Sequence, residues 1–205
     1  MHHRRLRTSL HLTACPDLWR PSEPGRSRII RKSLQEANPM SSEPRVYRAL
    51  FLCTGNSARS IMAEALLNKL GNGRFVAFSA GSQPTGTVNP TAIEVLRRFD
   101  LPTAGLASKS WETFSAPEAP TLDFVFTVCD RAAAESCPTW PGQPMHAHWG
   151  IADPAACVGD ELERLQAFRR AFAELERRIA LFVALPLQAL DSLALQSKLD
   201  AIGRA

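Results

Sequence analysis

The sequence lacks several features that would place the chain in a membrane, outside the cell or on a nucleotide. No apolar run approaches the roughly 20 residues needed to cross a bilayer, and no apolar stretch suits a secretory signal. The Gly-Lys-Ser/Thr loop of nucleotide-binding proteins is also missing. The five cysteines are odd in number and scattered, which favours a reducing cytoplasm in which thiols more often carry out chemistry than build a framework.

The body of the chain also lacks an excess of positive charge. The net charge of +4 arises from residues 1–39, which hold eight basic and three acidic residues, whereas the rest holds 16 basic and 17 acidic residues. Binding to nucleic acid is normally accompanied by a basic patch on the folded domain. We therefore expect no nucleic-acid partner and no membrane partner.

The chain divides into three parts by composition. Residues 1–44 are rich in Arg, Ser and Pro, and we interpret them as a disordered basic leader, with a mis-assigned start before Met40 favoured over a transit peptide or a basic arm. Residues 45–185 form the predicted domain. Residues 186–205 are predicted to be a weakly helical C-terminal tail.

Apolar periodicity within residues 45–185 predicts strands that alternate with helices. Strands are expected at 46–52, 74–79, 122–128 and 145–150, and helices at 60–70, at 90–99, from 130, and from 159 to about 185. This alternation is typical of a three-layer α/β fold, in which a four-stranded parallel sheet has helices on both faces. Because the carboxyl ends of parallel strands share one edge, Cys53, Cys129 and Asp153 should meet there.

The segment "CTGNSAR" at 53–59 predicts an oxyanion-binding loop between the first strand and the first helix. Inward-facing amides at a helix N-terminus make an anion nest, in which Gly55 would allow unusual torsions and Arg59 would clamp two oxygens. A thiol at the base of this nest is stabilised as a thiolate, which makes Cys53 a candidate nucleophile; a buried structural cysteine is the alternative. The predicted oxyanion-binding residues are Thr54, Gly55, Asn56, Ser57, Ala58, Arg59 and Ser60.

Three segments together resemble the low-molecular-weight protein tyrosine phosphatase superfamily, and more closely its arsenate reductase branch. They are "CTGNSARS" at 53–60, "SAG" at 79–81 and "HWGIADPA" at 148–155. The resemblance implies a flavodoxin-like sheet, with Cys53 as nucleophile, Arg59 as anion clamp and Asp153 as the acid that protonates the leaving oxygen. Asp160 is a weaker candidate for that acid.

Two further cysteines distinguish a reductase from a phosphatase. A reductase must supply two electrons from sulfur, and "VCDRAAAESCPTWPG" offers Cys129 and Cys137 as successive thiols of a disulfide relay. Burial as two small apolar side chains is the alternative. The segment resembles the redox segment of thioredoxin-coupled arsenate reductases, although the best-known members have one residue fewer between these cysteines.

The remaining expectations concern substrate, electron donor and ions. We expect a monomeric arsenate reductase, with phosphate or sulfate as substrate mimics and no tightly bound cofactor. Reduced thioredoxin is the first choice of donor, with glutaredoxin and glutathione, or mycothiol, as alternatives. A phosphatase is the second reading, but the single tyrosine and the text "DPAA" do not favour it. By resemblance Asn56, Glu64 and Ser79 could hold potassium; alternatively, Glu64 is a helix-surface residue.

Overall fold

The computed structural model describes residues 45–135 and 138–205, in which strands and helices alternate. The strands are β1 (Tyr47–Cys53), β2 (Phe75–Gly81), β3 (Phe124–Thr127) and β4 (Met145–His148). The α-helices are α1 (Arg59–Leu70), α2 (Pro90–Arg98), α3 (Asp130–Ala134), α4 (Glu161–Val183) and α5 (Ser192–Gly203). Short 3-10 helices occur at Trp111–Phe114 and Pro154–Ala156.

The four strands form one parallel sheet in the order β2-β1-β3-β4. Successive residues of the central strand β1 face opposite sides of the sheet, and both sides are buried. Phe51 packs in one core and Leu52 in the other. The predicted α/β fold with a four-stranded parallel sheet is confirmed.

The two layers that cover the sheet are unequal. Helices α1 and α4 lie on one face and contribute more buried residues to the larger core than the other helices do. The smaller core on the other face contains Phe114 from a 3-10 helix and Trp140 from the loop before β4. The long helices α1 and α4 of the first layer can be predicted from their apolar periodicity. The second layer cannot, because single aromatic residues from connecting segments form it.

The last residues belong to the packed structure. The sequence predicted only a weakly helical tail at 186–205, but α5 buries Leu195, Leu199 and Ile202, which lie at the spacing of one helix face. The indole Nε1–H of Trp149, just after β4, donates to the carbonyl of Leu199 at 3.1 Å. The helix α5 therefore covers the β4 edge of the core. Among the described residues, no helix is long and apolar enough to cross a bilayer.

Candidate active site

Cys53 is the last residue of β1 and lies at the base of the loop that leads into α1. Its side chain is buried, and its sulfur accepts a hydrogen bond from the backbone N–H of Asn56 at 3.1 Å. Ser60 Oγ lies 3.0 Å from the same sulfur. Ala58 precedes α1 and has no side chain able to cap it, so the first-turn amides are not covered by a local cap. These amides offer hydrogen-bond donors to an oxyanion that binds above the sulfur.

The loop is held from beneath by Asn56, which is fully buried. Its side-chain amide donates to Ser60 Oγ and to Ser79 Oγ, both at 2.9 Å, and its Oδ1 accepts from the backbone N–H of Lys109 at 2.7 Å. Asn56 also has the left-handed conformation of the loop, with a φ of 42°. The expectation that Gly55 supplies the unusual torsion is therefore wrong. Gly55 instead permits close approach, since a Cβ there would lie 3.3 Å from Thr85 Cγ2.

Arg59 connects the loop to the segment that carries the candidate acid. Its Nη2 lies 2.9 Å from Asp153 Oδ2, and its Nη1 donates to the carbonyl of Ile151 at 2.9 Å. The guanidinium is mostly buried, whereas the carboxylate of Asp153 is 44% exposed. Pro154 begins a 3-10 helix after Asp153, and the Ala155 N–H donates to Asp153 Oδ1 at 3.1 Å. The acid and the anion clamp therefore contact each other in this structure.

Cys129 lies at the end of the neighbouring strand and caps α3. Its sulfur accepts from the Ala132 N–H at 3.4 Å and lies 3.7 Å from Thr54 Oγ1. Because Thr54 is the residue after Cys53, this contact places the Cys129 thiol next to the start of the Cys53 loop. Cys129 is buried, like Cys53.

Cys53, Arg59, Cys129 and Asp153 all line one open cavity of about 810 Å³. The sheet edge therefore brings together these side chains from three separate segments, as the strand order requires. Of the predicted oxyanion-binding residues, those that line the cavity are Thr54, Gly55, Ser57, Ala58 and Arg59. Asn56 and Ser60 do not line it, because their side chains lie beneath the loop and hold it.

Of the other cysteines, the structure describes only Cys157. Cys137 lies outside the described residues. Cys157 is partly exposed and lines a separate cavity of about 420 Å³ beside α4. Asp160, the weaker candidate for the acid, instead forms the capping box of α4 with Glu163.

The residues proposed for potassium do not fit a cation. Ser79 donates to Glu64 Oε2 at 2.5 Å, and Asn56 presents an N–H group to Ser79. The Lys109 ammonium lies 3.7 Å from Glu64 Oε2 and supplies positive charge there. Potassium binding is thus unsupported, and no step depends on it. Glu64 is also no surface residue, because it is only 9% exposed. This burial raises the pKa of its carboxyl despite the opposing effects of Ser79 and Lys109.

One contact to the Asp153 segment has no counterpart in the sequence prediction. Arg178 on α4 is buried and donates from Nη1 to the carbonyl of Gly150 at 2.9 Å. It occupies the helix face that also carries Leu175 and Phe182. An arginine at a position that the periodicity assigns to the apolar face was the signal that could have identified it.

A parallel sheet with a buried cysteine at the base of an amide nest is the arrangement of a cysteine-based oxyanion-binding enzyme of the α/β class. The pattern of the low molecular weight phosphotyrosine protein phosphatase family matches residues 48–193. The chain belongs to this family, which confirms the resemblance seen in the sequence.

Several proteins similar to this chain are named arsenate reductases. An arsenate reductase of Halalkalibacterium halodurans is 35% identical over 132 residues, which cover 64% of this chain and 91% of the relative. A solved arsenate reductase in the phosphate binding state has a TM-score of 0.57 at 27% identity and covers 68% of this chain and 98% of its own. The arsenate reductase of Archaeoglobus fulgidus has a TM-score of 0.53 at 29% identity and covers 67% and 99%.

Proposed function

We propose that this chain is an arsenate reductase that converts arsenate to arsenite with electrons from its own thiols. The observation that carries the proposal is the presence of two buried cysteines, Cys53 and Cys129, in the lining of the same open cavity. The similarity to named arsenate reductases supports the same activity.

Binding of arsenate uses the positive end of α1. The oxyanion occupies the nest above Cys53, where backbone amides and the Arg59 guanidinium donate to its oxygens. Arg59 exchanges its contact with Asp153 for a contact with the anion. This exchange frees the carboxyl group of Asp153 to face the oxygen that will leave.

The first chemical step joins sulfur to arsenic. The Cys53 thiolate attacks arsenic(V), and one oxygen departs as water after it receives a proton from Asp153. The product is a covalent Cys53–arsenic(V) adduct, in which arsenic has not yet been reduced.

The second step transfers the electrons. The Cys129 thiol attacks the Cys53 sulfur, so that the sulfur–arsenic bond breaks and its electron pair stays on arsenic, while the thiol proton passes to an oxygen of the departing arsenite. Arsenite leaves with arsenic(III), and a Cys53–Cys129 disulfide remains. Cys137 then attacks Cys129, which restores the Cys53 thiol and leaves a Cys129–Cys137 disulfide.

A thiol carrier closes the cycle by reducing that disulfide. Thioredoxin is our first choice, and glutaredoxin with glutathione, or mycothiol, is the alternative. Arsenate-dependent NADPH oxidation, measured separately with the thioredoxin and the glutaredoxin systems, identifies the carrier. The chemistry requires reduced thiols, so we place it in the cytoplasm; the monomeric state stays a prediction.

The test of the proposal is a serine replacement at Cys129. We expect Cys129→Ser to form the arsenic adduct but to release no arsenite, while hydrolysis of p-nitrophenyl phosphate continues, because a phosphocysteine is cleaved by water and needs no second thiol. Cys157→Ser is the matched control and should keep full reductase activity. Arsenite release by Cys129→Ser at the wild-type rate would refute the relay, whereas a wild-type chain that hydrolyses the ester but releases no arsenite would favour the phosphatase reading.

A further inference from the structure

The guanidinium of Arg178 is an unusual group to find in the core of this fold. The side chain is 5% exposed and lies on α4 among the residues of the larger core. Its Nη2 contacts Glu174 Oε1 at 2.8 Å and its Nη1 donates to the Gly150 carbonyl at 2.9 Å. Its Nε has no hydrogen-bond partner among the described residues. A buried donor without a partner is destabilising, so stability alone would not favour an arginine at this position.

An apolar side chain at this position would stabilise the core at least as well as the arginine does. Replacement of a buried ion pair by packed apolar groups is often neutral or stabilising. The presence of Arg178 and Glu174 is therefore better explained by what the guanidinium binds than by stability. Its ligand outside α4 is one backbone carbonyl in the segment that carries the candidate acid.

That segment runs from Gly150 to Asp153 and is attached at a few points. The Ile151 N–H donates to the Val128 carbonyl at 3.1 Å, which ties the segment to the end of β3. Arg59 binds the Ile151 carbonyl and the Asp153 carboxylate from the cavity side. Arg178 binds the preceding carbonyl, that of Gly150, from the helix side. The two arginines thus hold consecutive carbonyls of the segment from opposite sides.

Only one of these two arginines stays in place when substrate binds. Under the proposed function, Arg59 turns toward the oxyanion and releases part of its hold on the segment. Arg178 is fixed by Glu174 and by the core, so its bond to Gly150 is independent of the substrate. The segment then keeps Asp153 at a defined distance from Cys53 during the protonation step.

We propose that Arg178, oriented by Glu174, is a positioning residue that sets the place of the Asp153 acid by holding the Gly150 carbonyl. The inference rests on the proposed function, since it assigns Asp153 the proton transfer. It concerns geometry alone, because Arg178 itself does not line the cavity or contact the oxyanion loop and reaches the site only through the Gly150 carbonyl.

The test is a double-mutant cycle between Arg178 and Asp153 on the full chain. Single-turnover arsenite formation, with reduced enzyme in excess and no carrier present, isolates the chemical steps. We expect Arg178→Met to slow arsenite formation about tenfold to hundredfold, as a misplacement of about 1 Å does. In an Asp153→Asn background the same change should add less than about twofold, because the acid is already absent.

Three measurements separate positioning from general damage. The dissociation constant for phosphate should change less than about threefold in Arg178→Met, because the loop at Cys53 keeps its own contacts. Arg178→Lys retains the positive charge and an N–H group that can donate to the carbonyl, so it should show a smaller slowing than Arg178→Met. Arg177→Met is the matched control: Arg177 is the next residue on α4, its contact is with the C-terminal Ala205 carbonyl, and it should react like wild type.

The inference is overturned if Arg178→Met slows the reaction equally in both backgrounds, or if neither Arg178 variant slows it at all. It is also overturned if both variants lose activity only in proportion to a loss of folded protein. Hydrolysis of p-nitrophenyl phosphate is measured on the same set. A wild-type chain that hydrolyses this ester but forms no arsenite would refute the proposed function, while the cycle on the ester would still decide the role of Arg178.

Discussion

Replacement of Arg59 tests most directly whether the loop binds an oxyanion. In the structure the guanidinium makes two bonds of 2.9 Å, to Asp153 and to the Ile151 carbonyl, and under the proposed function the bond to Asp153 is exchanged for one to the anion. Two charge-assisted hydrogen bonds to arsenate are worth about 3–6 kcal/mol in total. Since each 1.4 kcal/mol is tenfold, this corresponds to about 10²–10⁴ in kcat/KM.

The expected loss in kcat/KM is smaller than this, because Arg59 already makes hydrogen bonds to Asp153 and Ile151 in the free protein. We therefore expect the lower half of the range for Arg59→Met, a loss of about 10²–10³ in kcat/KM for arsenate. Arg59→Lys keeps the charge but loses the planar fork, so a smaller loss of about tenfold to hundredfold is expected. Phosphate should bind more weakly to both variants.

The assay combines arsenate reduction with equilibrium binding of phosphate. Arg98→Met is the matched control, since Arg98 is exposed and pairs only with Glu94 one turn away on α2. Its kinetic constants should equal those of wild type. A loss of less than tenfold for Arg59→Met, or unchanged phosphate binding, would show that the amides alone bind the anion and that the clamp is dispensable.

Two further predictions concern stability. Because burial raises the pKa of Glu64 above its ordinary value of 4.5, its contribution to stability is complete below that value and is lost as the pH rises through the higher folded value. The free energy of unfolding of wild type should therefore fall relative to Glu64→Gln from about pH 4.5 upward in denaturant titrations, and a difference that does not change with pH would contradict this assignment. Leu199→Ala should cost about 2–5 kcal/mol, because Leu199 is fully buried in α5. Leu193→Ala, on the same helix but 83% exposed, should change stability by less than about 0.5 kcal/mol; equal effects of the two changes would mean that α5 does not pack on the core.

The sequence by itself determined the parts that depend on neighbouring residues. The nest around Cys53 and Arg59 can be predicted from the sequence, because all of its loop lies in seven consecutive residues. A buried strand precedes this loop of small polar residues, and an amphipathic helix follows it. The alternation of strands and helices likewise predicts a parallel sheet, and a parallel sheet has only one edge at which Cys129 and Asp153 can join that nest.

Tertiary structure alone decided the contacts between distant segments. Lys109 reaches Glu64 across 45 positions of the chain, and for this reason the residues expected to hold potassium instead form a closed set of hydrogen bonds with an ammonium group beside it. Arg178 reaches the Gly150 carbonyl across 28 positions. Periodicity reports which face of a helix is buried but not which backbone group that face meets, so partners of this kind follow only from the packing of α4 against the sheet edge.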